Sequence, residues 1–190
     1  DRIFQLAELA QCRDESAQRI GWPILFIKAY AQMAADHPVL RQCYMRLPWP
    51  HLYEHPQQVA TLAIHRQHDD QDWLMWGRFI DPQLHSLREL QEKLDQYRQQ
   101  PVPKIFRRQY RLAHFPTPLR RIAWWLSYHL SGKKRCKRLG THFLTTISGA
   151  GAEIQEPPCI HTSGFTYGPL DKTGACRVTI SYDHRLMDGH

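Results

Sequence analysis

The 190-residue sequence lacks several patterns that would assign its class directly. Its five cysteines are odd in number and scattered, and none forms a C-x-x-C pair, so neither a disulfide framework nor a zinc site is indicated. No apolar run approaches the roughly eighteen residues of a membrane span. The first residues lack the basic, apolar and small-residue regions of an export signal. These absences favour a cytoplasmic protein with reduced thiols.

Acidic residues are missing from a long central stretch. Between Gln96 and Ala152 there is no Asp or Glu, although the net charge of the whole chain is +7. Twelve basic residues fall in this stretch: Arg98, Lys104, Arg107, Arg108, Arg111, Arg120, Arg121, Lys133, Lys134, Arg135, Lys137 and Arg138. Such a field favours an anionic partner such as cofactor phosphates, lipid head groups or nucleic acid, and the alternative is a solvated basic face. No recognised nucleic-acid motif accompanies the charge, so we do not expect nucleic acid as the partner.

The hydrophobic periodicity predicts helices packed on a mixed β-sheet. Helical spacing or capping signals occur in residues 3–12, 21–38, 86–97 and 117–130. Alternating or apolar runs predict strands at 59–66, 72–80, 141–148, 160–167 and 176–182. The chain length fits one domain over residues 1–190. We therefore expect an α/β (or α+β) domain, with a basic helical insertion at about 101–140.

The helix predicted over 117–130 carries an apolar stripe beside two tryptophans and two arginines. The stripe consists of Leu119, Ile122, Ala123, Leu126 and Leu130. Trp124 and Trp125, next to Arg120 and Arg121, suit contact with a membrane surface or a fatty acyl chain. Packing in the core and between subunits is the preferred interpretation. Residues 133–138 follow as a charged connection.

The chain ends in a polar motif directly after an apolar-rich strand. His184 is followed after three residues by Asp188 and Gly189. A residue at a strand end is held rigidly and can still face a cleft, and glycine permits a tight turn after the aspartate. The chain begins at Asp1 without methionine and stops one residue beyond the Asp-Gly, as a fragment truncated at its C-terminus would. A surface turn is the alternative interpretation of this motif.

The segment "SYDHRLMDG" resembles the motif of the 2-oxoacid dehydrogenase acyltransferases, the catalytic domains of the dihydrolipoyl acyltransferases. "WPILFIKAYAQMAADHPVLRQCY", "DPQLHSLRELQEKL" and "GTHFLTTISGAG" are similar to further segments of that family, in the same order. Chloramphenicol acetyltransferase has the same fold and a variant of the motif. The resemblance implies a chloramphenicol-acetyltransferase-like two-layer domain, in which a mixed β-sheet packs with helices.

The resemblance also implies roles for three residues. His184 matches the general base, and imidazole groups titrate near pH 6.5, which suits proton transfer at neutral pH. Ser148 matches the hydroxyl that donates a hydrogen bond to the tetrahedral oxyanion. Asp188 matches an aspartate that orients the site through an arginine, for which Arg185 and Arg2 are the candidates here. The family is built from trimers with active sites between subunits, so Ser148 and His184 are expected to meet across an interface.

Differences from the family bear on the substrate. The segment 101–140 is longer and more basic than the family's linker, and the interval from Ser148 to His184 is shorter. These differences favour acyl-CoA, or an acyl carrier protein, over lipoamide as the thioester, with a hydroxyl, thiol or amine as acceptor. Lys133, Lys134 and Arg135 are the candidates to contact coenzyme A phosphates. The competing hypothesis is a non-catalytic scaffold or binding module that holds an anionic partner, lipid or nucleic acid, on its basic segment.

We expect no metal site. His65, His142 and His161 lie in strand-like runs, but no pair has metal-ligand spacing with carboxylates nearby, so these histidines are interpreted as surface or packing residues.

Overall fold

The computed structural model describes residues 2–15, 19–157 and 160–187. Eight strands are present in this part of the chain: β1 (Arg2–Gln5), β2 (Gln42–Met45), β3 (His51–Glu54), β4 (Val59–His68), β5 (Gln71–Ile80), β6 (His142–Thr145), β7 (Ser163–Tyr167) and β8 (Ala175–Tyr182). Seven α-helices accompany them: α1 (Ala7–Glu15), α2 (Trp22–Asp36), α3 (Leu87–Gln99), α4 (Val102–Ile105), α5 (Arg107–Ala113), α6 (Thr117–His129) and α7 (Gly132–Leu139). The predicted mixed α/β fold class is therefore confirmed.

Six strands form one mixed sheet in the order β1-β8-β7-β6-β4-β5, and β2 pairs with β3 in a separate hairpin. The pairs β4–β6 and β6–β7 are parallel, whereas β1–β8, β7–β8 and β4–β5 are antiparallel. The turn between β4 and β5 places Asp69 and Asp70 at φ 51° and 56°. Aspartate tolerates this left-handed region, which suits the tight turn between these two strands.

Helices α2 and α3 pack on the sheet as their sequence pattern predicts. The helix predicted within 21–38 forms as α2, and the apolar residues at helical spacing on one face are buried, namely Ile24, Ile27, Tyr30 and Ala34. On α3, Leu90, Leu94 and Tyr97 are buried, and Ser86 forms the predicted capping box with Glu89. The α2 side chain Lys28 donates to the carbonyls of Pro82, Gln83 and His85, which fixes the loop that leads from β5 to α3.

The helical prediction for residues 3–12 is wrong over its first part. Residues 2–5 form β1, which pairs with residues 175–178 of β8, and the helix begins only at Ala7. Ile3 and Phe4 are 66% and 46% exposed, so β1 is held by its backbone pairing with β8 rather than by burial of an apolar stripe. The hairpin of β2 and β3 was not predicted.

The basic segment 101–140 is helical, but its apolar stripe faces outwards. Residues 133–138, predicted as a connection, belong to α7. On α6 the side chains of Leu119, Ile122 and Leu126, and that of Leu130 directly after the helix, are 41–55% exposed, whereas Ser127 is buried. Trp124 and Trp125 are likewise 41% and 52% exposed, so the preferred interpretation that they pack in the core is wrong for the single chain, and packing between subunits stays a prediction. In the part of the chain that the structure describes, no helix has both the length and the apolar character needed to cross a membrane.

Candidate active site

His184 lies in the turn that follows β8. The turn is closed by the backbone N–H of Leu186, which donates to the Asp183 carbonyl at 2.9 Å. The Asp183 N–H in turn donates to the Thr162 carbonyl, so the turn is tied to the residue before β7. The His184 side chain is exposed, and its ring centroid lies 4.9 Å from that of Tyr182. An imidazole is thus held at the end of a sheet strand with access to solvent.

The two neighbours of His184 form an ion pair that sequence reasoning missed. Arg185 donates from Nε and Nη2 to the carboxylate of Asp183, at 2.8 and 2.5 Å. Hydrogen bonds from Arg185 hold the pKa of Asp183 below its usual range. The Arg185 guanidinium also lies 4.6 Å from the ring centroid of Tyr44. The alternation of acid, histidine and arginine in "DHR" was the available signal for this pair.

Asp188 lies outside the described residues, so the structure gives it no geometry. Of the two candidate partners, Arg185 binds Asp183. Arg2 lies on β1, opposite Val178 of β8. The predicted orienting pair therefore stays a prediction.

Ser148 lies just beyond β6 in a short 3₁₀ turn, Ser148–Ala150. Its backbone N–H donates to Thr146 Oγ1 at 3.1 Å, and the two hydroxyl oxygens are 3.0 Å apart. Thr146 also donates to the Tyr167 carbonyl at 2.8 Å. Because a carbonyl can only accept and a hydroxyl has one proton, the hydroxyl contact is best made by donation from Ser148. That proton can be redirected to an incoming oxyanion.

Tyr167, whose carbonyl accepts from Thr146, is the buried member of this hydrogen-bond network. Burial raises the pKa of Tyr167 to about 12, so its phenol stays neutral at physiological pH. Ser148 itself is half-buried, and the neighbouring Ile147 is 43% exposed. The T-x-S spacing was the sequence signal for this turn.

Within one chain, His184 and Ser148 lie at opposite ends of the sheet strands. The register pairs Tyr182 with Ser163 and Ser163 with His142, so the end of β8 lies beside the start of β6. Ser148 follows the other end of β6. The two residues are therefore separated by at least the length of β6, which is about 10 Å for a strand of this size. The surroundings of these two candidate residues are called the His184 and Ser148 half-sites below.

The three basic residues proposed for phosphate contact have different environments. Lys133 and Lys134 are exposed on α7, whereas Arg135 is only 4% exposed. Arg135 donates to the carbonyls of Tyr44 and Ile160, at 2.9 and 3.2 Å. These contacts join α7 to β2 and to the segment before β7. A phosphate role stays a prediction for the two lysines.

Two buried histidines lie near the strands between the candidate half-sites: His142 is the first residue of β6, and His161 precedes β7 by two residues. His142 and His161 are 1% and 2% exposed. Burial lowers the pKa of His142 to about 3 and that of His161 to about 4, so both are neutral. Among the described residues, no group of three or more His, Cys, Asp or Glu could hold a metal ion.

The fold is similar to solved acyltransferase cores across nearly the whole chain. A probable dihydrolipoamide acetyltransferase from Listeria monocytogenes superposes with a TM-score of 0.63 at 14% identity, covering 99% of this chain and 75% of that one. The dihydrolipoamide acetyltransferase of Azotobacter vinelandii, solved to define the roles of a serine, a histidine and an asparagine in its catalytic mechanism, gives 0.63 at 10% identity, covering 99% and 73%. A truncated catalytic core of the 2-oxoacid dehydrogenase complex from Thermoplasma acidophilum gives 0.65 at 11% identity, covering 99% and 77%.

The sequence comparisons add no closer relative. No protein-family model matches the chain, and none of the curated proteins matches it either. At these identities the likeness establishes the fold. The chain has the fold of the dihydrolipoamide acyltransferase catalytic cores, as its sequence motifs predict.

Proposed function

We propose that this chain is an acyltransferase that moves an acyl group from a coenzyme A-type thioester to a hydroxyl, thiol or amine. The observation that carries the proposal is the likeness to acyltransferase cores over 99% of the chain. In the Azotobacter enzyme the histidine and the asparagine under investigation are four positions apart. His184 and Asp188 have the same spacing.

The proposed reaction uses His184 as the general base. Its imidazole removes the proton of the acceptor, and the freed nucleophile attacks the thioester carbonyl. The carbonyl oxygen becomes an oxyanion, to which the Ser148 hydroxyl donates a hydrogen bond. Collapse of this intermediate breaks the carbon–sulfur bond, and the departing thiolate takes the proton from His184. The pair of Asp183 and Arg185 keeps the His184 turn in place, and Asp188 orients the site.

We further propose that each active site forms between two copies of this chain. The half-sites of His184 and Ser148 lie at opposite ends of β6, so one chain cannot bring them to one carbonyl. Apolar side chains next to each half-site are exposed in the single chain, with Ile147 at 43% and Ile180 at 48%. Burial of such side chains would favour association. One of the similar structures is the cubic core of a pyruvate dehydrogenase multienzyme complex. A closed ring such as a trimer satisfies this head-to-tail arrangement.

The proposed donor is acyl-CoA, with Lys133 and Lys134 available to its phosphates. Ammonium groups bind phosphate oxygens through charge-assisted hydrogen bonds. Both lysines lie on α7, and no carboxylate pairs with them in the part of the chain that the structure describes.

The test is release of free coenzyme A thiol from a panel of acyl-CoAs in the presence of cell extract, with mass spectrometry of the acylated products. His184→Ala should slow release by about 10²- to 10⁴-fold, the usual contribution of a general base. His37→Ala serves as the matched control, because His37 is exposed and follows helix α2 rather than β6 or β8. Equal release by the His184 variant and the wild type would reject His184 as the base. Salt-sensitive binding of an anion without turnover would favour the non-catalytic binding module instead.

A further inference from the structure

A cavity of about 280 Å³ lies at the outer edge of the sheet, between β5 and the helices of the basic segment. Its walls are mainly aromatic and aliphatic, and include Trp73, Trp76, Trp124, Ile105, Phe106 and Leu112. This volume is close to the lower end of the range of small-molecule sites, about 300–1,000 Å³. None of its lining residues belongs to the half-sites of His184 and Ser148.

The cavity is built by closing the edge of β5. The Gln109 side chain of α5 accepts from the Trp76 backbone N–H at 2.9 Å and donates to the Trp76 carbonyl at 2.8 Å. The amide thus substitutes for a neighbouring strand at one residue of the exposed edge. Helix α5 is anchored to the sheet by these bonds, which leaves the space beside it open.

Four arginines line this otherwise apolar cavity: Arg78, Arg108, Arg120 and Arg138. Three of them are held by uncharged groups: Arg78 by the Lys137 carbonyl, Arg120 by the Ala113 carbonyl and Arg138 by the Ser127 hydroxyl. No carboxylate pairs with any of the four in the described residues. Their positive charges are therefore uncompensated.

The arginines are also close enough to repel one another. Partial desolvation of its guanidinium, followed by the charges of Arg138 and Arg78, lowers the pKa of Arg108, although the residue is exposed overall. Gathering like charges beside an apolar cavity costs free energy unless an anion binds there. Guanidinium groups suit phosphate and carboxylate oxygens, which they can bind in pairs.

We propose that this cavity binds a small amphiphile, with an apolar tail against the tryptophans and a phosphate or carboxylate head on the arginines. The site is separate from acyl transfer and does not depend on it. Helix α6 supplies both parts, since Trp124 and Arg120 lie one turn apart on it and both line the cavity, where Trp124 stays 41% exposed.

The experiment is a titration of the full chain with decyl phosphate, below its micelle threshold, followed by tryptophan fluorescence and calorimetry. We expect saturable binding at one site per chain. Binding should change the tryptophan fluorescence, because three tryptophans line the cavity. Butyl phosphate should bind more weakly than decyl phosphate because it buries less apolar surface. Decanoate should compete with decyl phosphate, whereas decyltrimethylammonium should not.

The variant that tests the head-group site is Arg108→Gln with Arg138→Gln, which should weaken decyl phosphate binding at least tenfold. Arg108→Gln alone should weaken it in the same direction, and it leaves the hydrogen bond from Arg138 to Ser127 intact. Arg107→Gln is the matched control, since Arg107 is exposed on the same helix and does not line the cavity. It should change the affinity less than twofold.

Three results would overturn the proposal. Equal affinity for decyl phosphate and decyltrimethylammonium would show that the arginines do not select the head group. Binding of inorganic phosphate as tight as that of decyl phosphate would show a simple anion site. Binding only to phosphatidic acid vesicles, unchanged by the arginine substitutions, would assign the recognition to the exposed apolar face of α6.

Discussion

At the scale of single residues, the buried histidines His142 and His161 predict how stability depends on pH. Their pKa values are about 3 and 4 in the folded chain, whereas histidines of the unfolded chain titrate near 6.5. Below pH 6.5 the unfolded chain binds more protons, so stability is complete above that pH and falls towards the folded pKa values. Between pH 6.5 and 5 we expect a loss on the order of 1.5 kcal/mol per histidine.

Urea unfolding at pH 6.5 and 5 measures this loss. This window lies above the pH range in which most carboxylates titrate. His142→Gln removes one titrating group and should roughly halve the histidine contribution to the slope. The exposed His37→Gln should keep the full slope. An unchanged slope for His142→Gln would show that this ring does not take up a proton on unfolding.

Single residues also show which parts of the candidate site can be predicted from the sequence. The terminal motif and the "TTIS" segment identify His184 and Ser148, because their residue types and order are local features. The pair of Asp183 with Arg185 was detectable from neighbouring residues but was missed. The contact of Arg185 with Tyr44 joins residues 141 positions apart, and the sequence offers no local signal for it.

At the scale of elements, the junction between α7 and β6 depends on Gly140. Its φ is 108°, and a Cβ at this position would lie 2.3 Å from Thr61 Oγ1 and 2.8 Å from the Val59 carbonyl oxygen. Gly140→Ala should lower the free energy of unfolding by roughly 2–4 kcal/mol, from the unfavourable φ together with overpacking. Thermal and urea unfolding would measure the loss.

Gly149→Ala is the matched control for this junction. A Cβ on Gly149 meets no atom within 4 Å, and its φ is not in the left-handed region. The free energy of unfolding should therefore change by less than about 0.5 kcal/mol. If Gly140→Ala were as stable as Gly149→Ala, the claim that only glycine fits at the junction of α7 and β6 would be wrong.

The elements that the sequence predicted well are those whose apolar face meets the core of the same chain. The apolar stripes of α2 and α3 are of this kind. The prediction was wrong for α6, where the apolar stripe is genuine but faces outwards, because periodicity does not say which partner covers a stripe. It was also wrong for β1, where pairing with β8 prevails over helical spacing.

At the scale of the whole molecule, the antiparallel course of β8 determines where the proposed acyl transfer can occur. It returns His184 to the start of β6, while Ser148 follows the end of that strand. An assembly that places the His184 end of one copy against the Ser148 end of another would complete a site. The sequence suggests such an interface only by family resemblance, because the contact is between chains.

Subunit complementation tests this arrangement. His184→Ala and Ser148→Ala should each be weakened alone, Ser148→Ala by about 10²- to 10³-fold if it loses one oxyanion donor. In oligomers of both variants, a site is intact where the Ser148 of a His184→Ala copy meets the His184 of a Ser148→Ala copy. Random assembly at equal amounts in a head-to-tail ring gives this pairing at about one interface in four, so about a quarter of the wild-type activity should return.

The double variant mixed with wild type is the control, since it forms no new intact interface beyond those of the wild type. Activity no greater than the sum of the two single variants would place His184 and Ser148 in separate functions.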